Sequence, residues 1–270
     1  MHTERQMGRK GRLAQVERRK KRVQRACRLC LAIGMIGLAI AAGSWGVGGK
    51  APVSAGDMRE QTDGYPDSLQ KLMERNPETE AFVKGYFENR DKHPAIDLSD
   101  VVEQGTIPLF LQWDERWGYE TYGNDFLAVT GCGPTCLSMV WCGLSGKTDW
   151  DPLHTAQFAE QEGYYVKGKG TAWSLMTYGA EQLGLTAQSV VFDEKSILAW
   201  LRDGNPIICA MRPGDFTTSG HFIVLSGVDE SGQVTVCDPN SIANSEKSWD
   251  IKDLMPQIKN LWGYRYKTLP

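Results

Sequence analysis

Hydrophobic and polar positions fall into distinct textures along the chain. From Leu29 to Gly49 there is no charged residue, and Leu29–Val47 holds fourteen apolar residues, four Gly and one Ser. A run of about twenty such residues is long enough to cross a bilayer core as a helix, and a buried core helix would be shorter and carry a polar stripe. Residues 50–66 are rich in Gly, Pro, Ser and Asp and read as a tether. Residues 68–89 place Leu69, Leu72, Met73, Phe82, Val83 and Phe87 among charges, which predicts two short amphipathic helices broken near Pro77. A polar stretch over 91–103 leads into a domain expected at about 105–270.

Within that domain the apolar spacing switches from helical to strand-like. Cys136 to Leu144 reads as a buried helix after Pro134, which a first helical turn tolerates. Trp173 to Leu183 has helical spacing and stops at Gly184, and Ser196 to Arg202 predicts a third helix. Pro206–Met211, His221–Val228 and Gln233–Cys237 then read as strands, the last two joined by Asp229-Glu230-Ser231-Gly232. Helices followed by an antiparallel sheet make the fold class α+β. No repeat is evident at a period of 20–50 residues.

Charge changes the picture by being lopsided. The chain of 270 residues carries a net charge of -3, yet residues 1–28 hold eleven Lys and Arg against two Glu, a net +9. Residues 51–270 hold eighteen bases against thirty-one acids, a net -13, which argues against nucleic acid as the partner of the folded part. The cluster Arg18-Arg19-Lys20-Lys21-Arg22 just before the apolar run predicts a cytoplasmic N-terminus. The expected organisation is therefore a basic cytoplasmic segment (1–28), a single transmembrane signal-anchor helix (29–49), an extracytoplasmic tether with short helices (50–104) and a domain outside the membrane (105–270). Val53-Ser54-Ala55 also suits a signal peptidase, so a retained anchor and a product cleaved after Ala55 both stand as alternatives.

Seven cysteines are present. Cys27 and Cys30 form a lone C-x-x-C pair at the edge of the apolar run, a weak signal for metal or redox chemistry. Cys132, Cys136, Cys142, Cys209 and Cys237 follow in the body. Five is odd, so in an oxidising exterior at least one thiol stays unpaired within the chain.

Thr130-Gly131-Cys132-Gly133-Pro134-Thr135 places Cys132 at the mouth of a helix. Unpaired N–H groups and the positive dipole end there favour a thiolate, and the flanking glycines are expected to let a substrate backbone approach. His221, after Gly220, starts an apolar strand and could serve as base. A turn over 229–232 puts Val228 opposite Gln233, which sets His221 opposite Asn240 and leaves Asp238 two residues short. Diagonal neighbours on one face lie about 7–8 Å apart at the backbone, a gap that His and Asp side chains bridge. Nucleophile, base and orienter from three distant stretches follow the logic of a Cys-His-Asp triad. Zinc held by Cys132, Cys136 and His221 is the rival reading, without an evident fourth ligand.

Four stretches together resemble the bacteriocin-processing-type cysteine peptidases, cysteine peptidase family 39, and among them the stand-alone membrane-anchored bacterial relatives. They are Ile107-Pro108-Leu109-Phe110-Leu111-Gln112-Trp113-Asp114, Gly131-Cys132-Gly133-Pro134-Thr135, Gly220-His221-Phe222-Ile223-Val224-Leu225 and Asp238-Pro239-Asn240. The resemblance covers about residues 105–265. It implies a papain-like fold with Cys132 as nucleophile, His221 as general base, Asp238 as orienter and Gln112 as oxyanion-hole donor. It also implies a peptide or protein substrate and no cofactor. No Gly-x-x-x-x-Gly-Lys-Ser/Thr loop occurs, so neither ATP nor coupled export is expected. The aromatic insert Trp113–Phe126 between Gln112 and Cys132 either shapes the cleft or packs on the sheet. Trp113, Trp117, Trp173 and Phe216 either line the cleft of a binding module or pack in the core, the more ordinary reading for aromatics, and the loops Gly168–Thr171 and Pro213–Gly220 are candidate pocket walls. A catalytically inactive module that binds peptide or cell-wall polymer is the alternative function.

Overall fold

The computed structural model describes residues 64–266. The expected anchor, the basic arm, Cys27, Cys30 and the site after Ala55 lie outside the described residues. Among the described residues no helix is long and apolar enough to cross a membrane.

Helix α1 (Asp67–Arg75) buries Leu69 and Leu72 and ends at Asn76, which is extended ahead of Pro77 as expected. A 3₁₀ turn over Pro77–Thr79 leads to α2 (Glu80–Lys84) and α3 (Tyr86–Asn89). Phe82, Val83 and Tyr86 pack with Leu69 and Leu72 against Tyr119 and Ala128. That cluster runs across residue 104, so helices read as part of a tether are integral to the body that carries the site.

A small hairpin of β1 (Thr121–Tyr122) and β2 (Asp125–Phe126) feeds α4 (Leu127–Thr130) and, after Gly131, α5 (Cys132–Ser145). Every residue of α5 except Cys132 and Leu144 is buried, as a helix apolar on all sides must be. Pro134 sits in its first turn, where no intrahelical partner is lost. Gly146 closes the helix at φ 71°, donating to the Cys142 carbonyl at 2.8 Å. Helix α6 (Pro152–Gln161) is capped by Asp151, whose carboxylate accepts from the Leu153 and His154 amides.

After the hairpin β3 (Tyr165–Val166) and β4 (Gly170–Thr171), the single helix expected over 173–183 is split. A 3₁₀ turn covers Trp173–Met176 and α7 covers Tyr178–Gln182. The buried Tyr264 hydroxyl donates to the Met176 carbonyl at 2.8 Å, and Thr177 turns out of helical geometry. Then come β5 (Leu185–Gln188), α8 (Glu194–Arg202), β6 (Ile207–Met211), β7 (His221–Val228) and β8 (Val234–Cys237). The chain closes with α9 (Ile242–Glu246), β9 (Ser248–Trp249), α10 (Ile251–Leu254) and β10 (Ile258–Tyr266).

The main sheet is antiparallel throughout, in the order β5-β10-β6-β7-β8-β9. Ile208, Ala210, Phe222 and Val224 face the core built on α5, while Ile207, Cys209, Ile223 and Leu225 face a second core with α8 and α10. Burial on both faces removes the polar alternation by which strands are recognised. Strands β5 and β10, which the sequence reading leaves unassigned, complete the sheet on the far side of β6.

The β7–β8 hairpin reaches the expected register by another route. Its loop is one residue longer, so Val228 pairs with Val234 instead of Gln233. The register then shifts between Leu225 and Gly227, leaving Ser226 as an extra residue, and Val224 pairs with Cys237. The bulge restores the alignment that puts Asp238 diagonal to His221.

Candidate active site

Cys132 is the first residue of α5, so its amide belongs to the unpartnered first turn of a long, buried helix. It is half-buried, whereas Cys136, Cys142 and Cys209 are fully buried free thiols whose pKa burial pushes upward. Cys237 is buried as well, and no disulfide joins any of the five cysteines of the body.

His221 opens β7 and presents Nε2 to the Asp238 Oδ1 at 2.7 Å. Both side chains are nearly sealed from solvent, at 8% and 1% exposure. Burial pulls the imidazolium pKa down, but the Asp238 charge and hydrogen bond, together with the Cys132 side chain, outweigh it and hold His221 well above its ordinary value. With Nε2 committed to Asp238, Nδ1 is the nitrogen left for Cys132.

Asp238 is held from three directions. Oδ1 also accepts from the Asn240 amide at 2.9 Å, and Oδ2 accepts from Asn244 Nδ2 at 2.9 Å. Its own amide donates to Ser245 Oγ at 2.9 Å. Asn244 and Ser245 lie on α9 and escaped the sequence reading. A single Asn six residues after an Asp carries no periodic signal, and only the turn through Pro239 brings it back.

Gln112 is 97% buried against the Ala128 carbonyl, which accepts from its Nε2 at 2.6 Å. The carboxamide has a second N–H, and Oε1 has no hydrogen-bond partner. Its backbone amide donates to the Pro239 carbonyl at 2.7 Å, tying the Gln112 segment to the Asp238 turn. Gln112, Cys132, His221 and Asn240 all line one cleft of about 700 Å³. The opposite walls are α1, through Lys71, Leu72 and Arg75, and the 214–220 loop, through Phe216.

Several sequence expectations move. The glycines beside Cys132 serve the interior instead of the substrate. A Cβ on Gly133 would lie 2.6 Å from Thr171 Oγ1, and one on Gly131 would lie 2.5 Å from the Leu127 carbonyl. The Gly168–Thr171 turn thus packs beside α5 and does not line the cleft, whereas the 213–220 loop does. Of the candidate cleft aromatics only Phe216 lines it. Trp117 is wholly buried, Trp113 donates to the Asn240 carbonyl at 3.1 Å, and Trp173 sits elsewhere against Trp262. The insert 113–126 therefore packs, with Asp125 alone reaching the cleft. For the zinc reading, Cys136 is sealed in the core, and among the described residues no group of three His, Cys, Asp or Glu is placed to hold a metal.

No curated protein matches the chain. Among solved structures, the peptidase domain of Streptococcus ComA, a bifunctional ABC transporter involved in a quorum-sensing pathway, aligns at 18% identity with a TM-score of 0.37. That alignment covers 51% of this chain and 93% of the other. The Peptidase_C39 like family matches residues 105–269, well over half of the sequence and all four stretches of the cleft's chemistry, and the chain belongs to that family.

Proposed function

We propose that the protein is a cysteine peptidase that hydrolyses peptide bonds through Cys132, His221 and Asp238, with Gln112 at the oxyanion. Family membership supports the peptidase reading. The observation that carries the assignment of roles is the sealed His221–Asp238 pair at 2.7 Å beside the Cys132 thiol.

In this mechanism the Cys132 proton passes to Nδ1 of His221, which leaves the sulfur as nucleophile. The sulfur attacks the amide carbon, and the C–O π pair becomes a tetrahedral oxyanion. The Cys132 amide and the second N–H of Gln112 stabilise it in this mechanism. The Nδ1 proton of His221 passes to the leaving amine as the C–N bond breaks, which leaves a thioester and a neutral imidazole. Water, deprotonated by Nδ1, attacks the thioester and releases the acid and the thiolate. Asp238 keeps the ring oriented and stabilises its charge throughout. A papain-like arrangement follows from these roles, with the nucleophile on α5, the base at the start of β7 and the orienter in the turn just after β8.

The N-terminal pattern supports a single-pass anchor with the peptidase domain outside the cytoplasm. Digestion of spheroplasts by an added protease should remove the domain if that orientation holds. For the activity, the full chain is incubated with a peptide library and products are read by mass spectrometry. Cleavage lost in both Cys132→Ala and His221→Ala supports the proposal; cleavage that survives Cys132→Ala removes the nucleophile and with it the mechanism.

A further inference from the structure

The segment preceding the family's span touches the Asp238 turn through a run of polar contacts, some of them partly buried. The Asn76 Nδ2 donates to the Asn240 carbonyl, while its Oδ1 accepts from the Glu78 amide at 3.1 Å. Asn76 is 8% exposed and Thr79 fully buried, so this junction is set into the body. Glu78 then spans to α9 with both oxygens. Oε1 accepts from Ser241 Oγ at 2.6 Å, and Oε2 accepts from the Ile242 amide at 2.7 Å.

Those contacts fix the first turn of α9. Ser241 Oγ accepts from the Asn244 amide at 3.1 Å. The Asn244 side chain in turn donates to Asp238 Oδ2 at 2.9 Å, and Asp238 Oδ1 holds His221. Helix α9 has five residues, too few to be stable by its own propensity, so its place depends on what pins its ends. Glu78 lies 163 residues before Ser241 and outside the matched span of 105–269.

We propose that Glu78 is a positioning residue for the His221–Asp238 pair, acting through Ser241 and Asn244, so that the stretch before residue 105 completes the catalytic unit. The inference rests on the peptidase reading above. Glu78 touches neither Cys132 nor the cleft; it sets where Asn244 stands and hence where the Asp238 carboxylate points. Catalysis is sensitive to such placement, since a misplacement of about 1 Å can cost on the order of 10²-fold.

The test uses iodoacetamide alkylation of Cys132 in the full chain, with the site read by mass spectrometry and folding by near-UV circular dichroism. Glu78→Ala should slow alkylation roughly tenfold, a loss of the size that displaced supporting groups cause. Glu78→Gln should stay within about twofold of wild type, because its oxygen can accept from Ile242 and its NH₂ can donate to Ser241 Oγ. In an Asn244→Ala background, Glu78→Ala should add less than about twofold, as a residue acting through Asn244 must. A structural role alone would give additive losses. Should Glu78→Ala fail to fold, Ser241→Ala carries the same cycle with only a hydroxyl removed. Alkylation unaffected by Glu78→Ala, or additive losses with Asn244→Ala, overturns this inference while His221-dependent labelling leaves the peptidase reading intact. Wild-type labelling indifferent to His221→Ala overturns both.

Discussion

Replacing Asp238 by Asn isolates the charge of the pair from its shape. The carboxylate accepts from His221 at 2.7 Å, from the Asn240 amide at 2.9 Å and from Asn244 at 2.9 Å. In Asp238→Asn the remaining oxygen can keep the first two contacts. The new NH₂ can donate to Asn244 once that carboxamide flips, so the geometry survives and the charge goes. With charge centres roughly 4 Å apart and an effective dielectric near 20, the lost attraction is about 4 kcal/mol. At 1.36 kcal/mol per unit this is about three pKa units. The His221 pKa, raised to about 10 in wild type, should then fall toward the ordinary histidine range, with burial lowering it and the Cys132 side chain still raising it.

Two readouts follow. The His221 ring, observed by NMR, should titrate in the alkaline range in wild type and roughly three pH units lower in Asp238→Asn. Alkylation of Cys132 at neutral pH should fall, and peptide hydrolysis with it, on the order of 10²–10⁴-fold as for an orienter lost from such a triad. The sign for stability is equally definite. A raised histidine pKa contributes stability that is fully present below the unfolded value and is lost as pH rises through the folded one. Wild type should therefore lose stability on alkaline titration of His221, and Asp238→Asn should lack that component. A His221 midpoint unchanged by the substitution would refute the reasoning, because nothing else named here raises it as strongly.

Gln112→Ala should lower peptide hydrolysis by about 10²–10³ while leaving Cys132 alkylation near wild type, since alkylation develops no oxyanion; hydrolysis at the wild-type rate would remove Gln112 from the mechanism. Gly133→Ala drives a Cβ to 2.6 Å from Thr171 Oγ1 and should cost about 1–3 kcal/mol, read as a lower denaturation midpoint. Native protein at pH 8 should label rapidly at Cys132, whereas Cys136, Cys142 and Cys209, buried and with raised pKa values, should label only after unfolding. Trp117→Ala, at a wholly buried site, should destabilise by about 3–5 kcal/mol in chemical denaturation.

Local chemistry was written where the reading is local. Pro77 and the residue before it end α1, and Gly184 takes the positive φ that a helix end asks for. The helix that carries Cys132 could be seen because it is apolar all round and has Pro134 in its first turn. His221 and Asp238 could be joined on paper because one short hairpin separates them, and a hairpin's register depends on few residues. Even there the agreement came from a longer loop and the bulge at Ser226 offsetting each other, which no pattern of side chains foretold.

Contacts that cross long stretches of sequence were decided only by the fold. Strand β10 runs Leu261, Trp262, Gly263 and Tyr264 through the interior, and a strand buried on both faces shows no alternation. Its Tyr264 hydroxyl, taking the Met176 carbonyl from 88 residues away, breaks a helix that its own spacing favours. Gly133 looked like room for substrate and is room for Thr171, because which neighbour fills a missing Cβ depends on packing. Asn244 and Glu78, which hold the Asp238 turn from two directions, are ordinary polar residues in sequence. The residues proposed for the chemistry were thus legible from their own surroundings, whereas the groups that contact them from distant segments meet only where those segments pack, and no local preference encodes such a meeting.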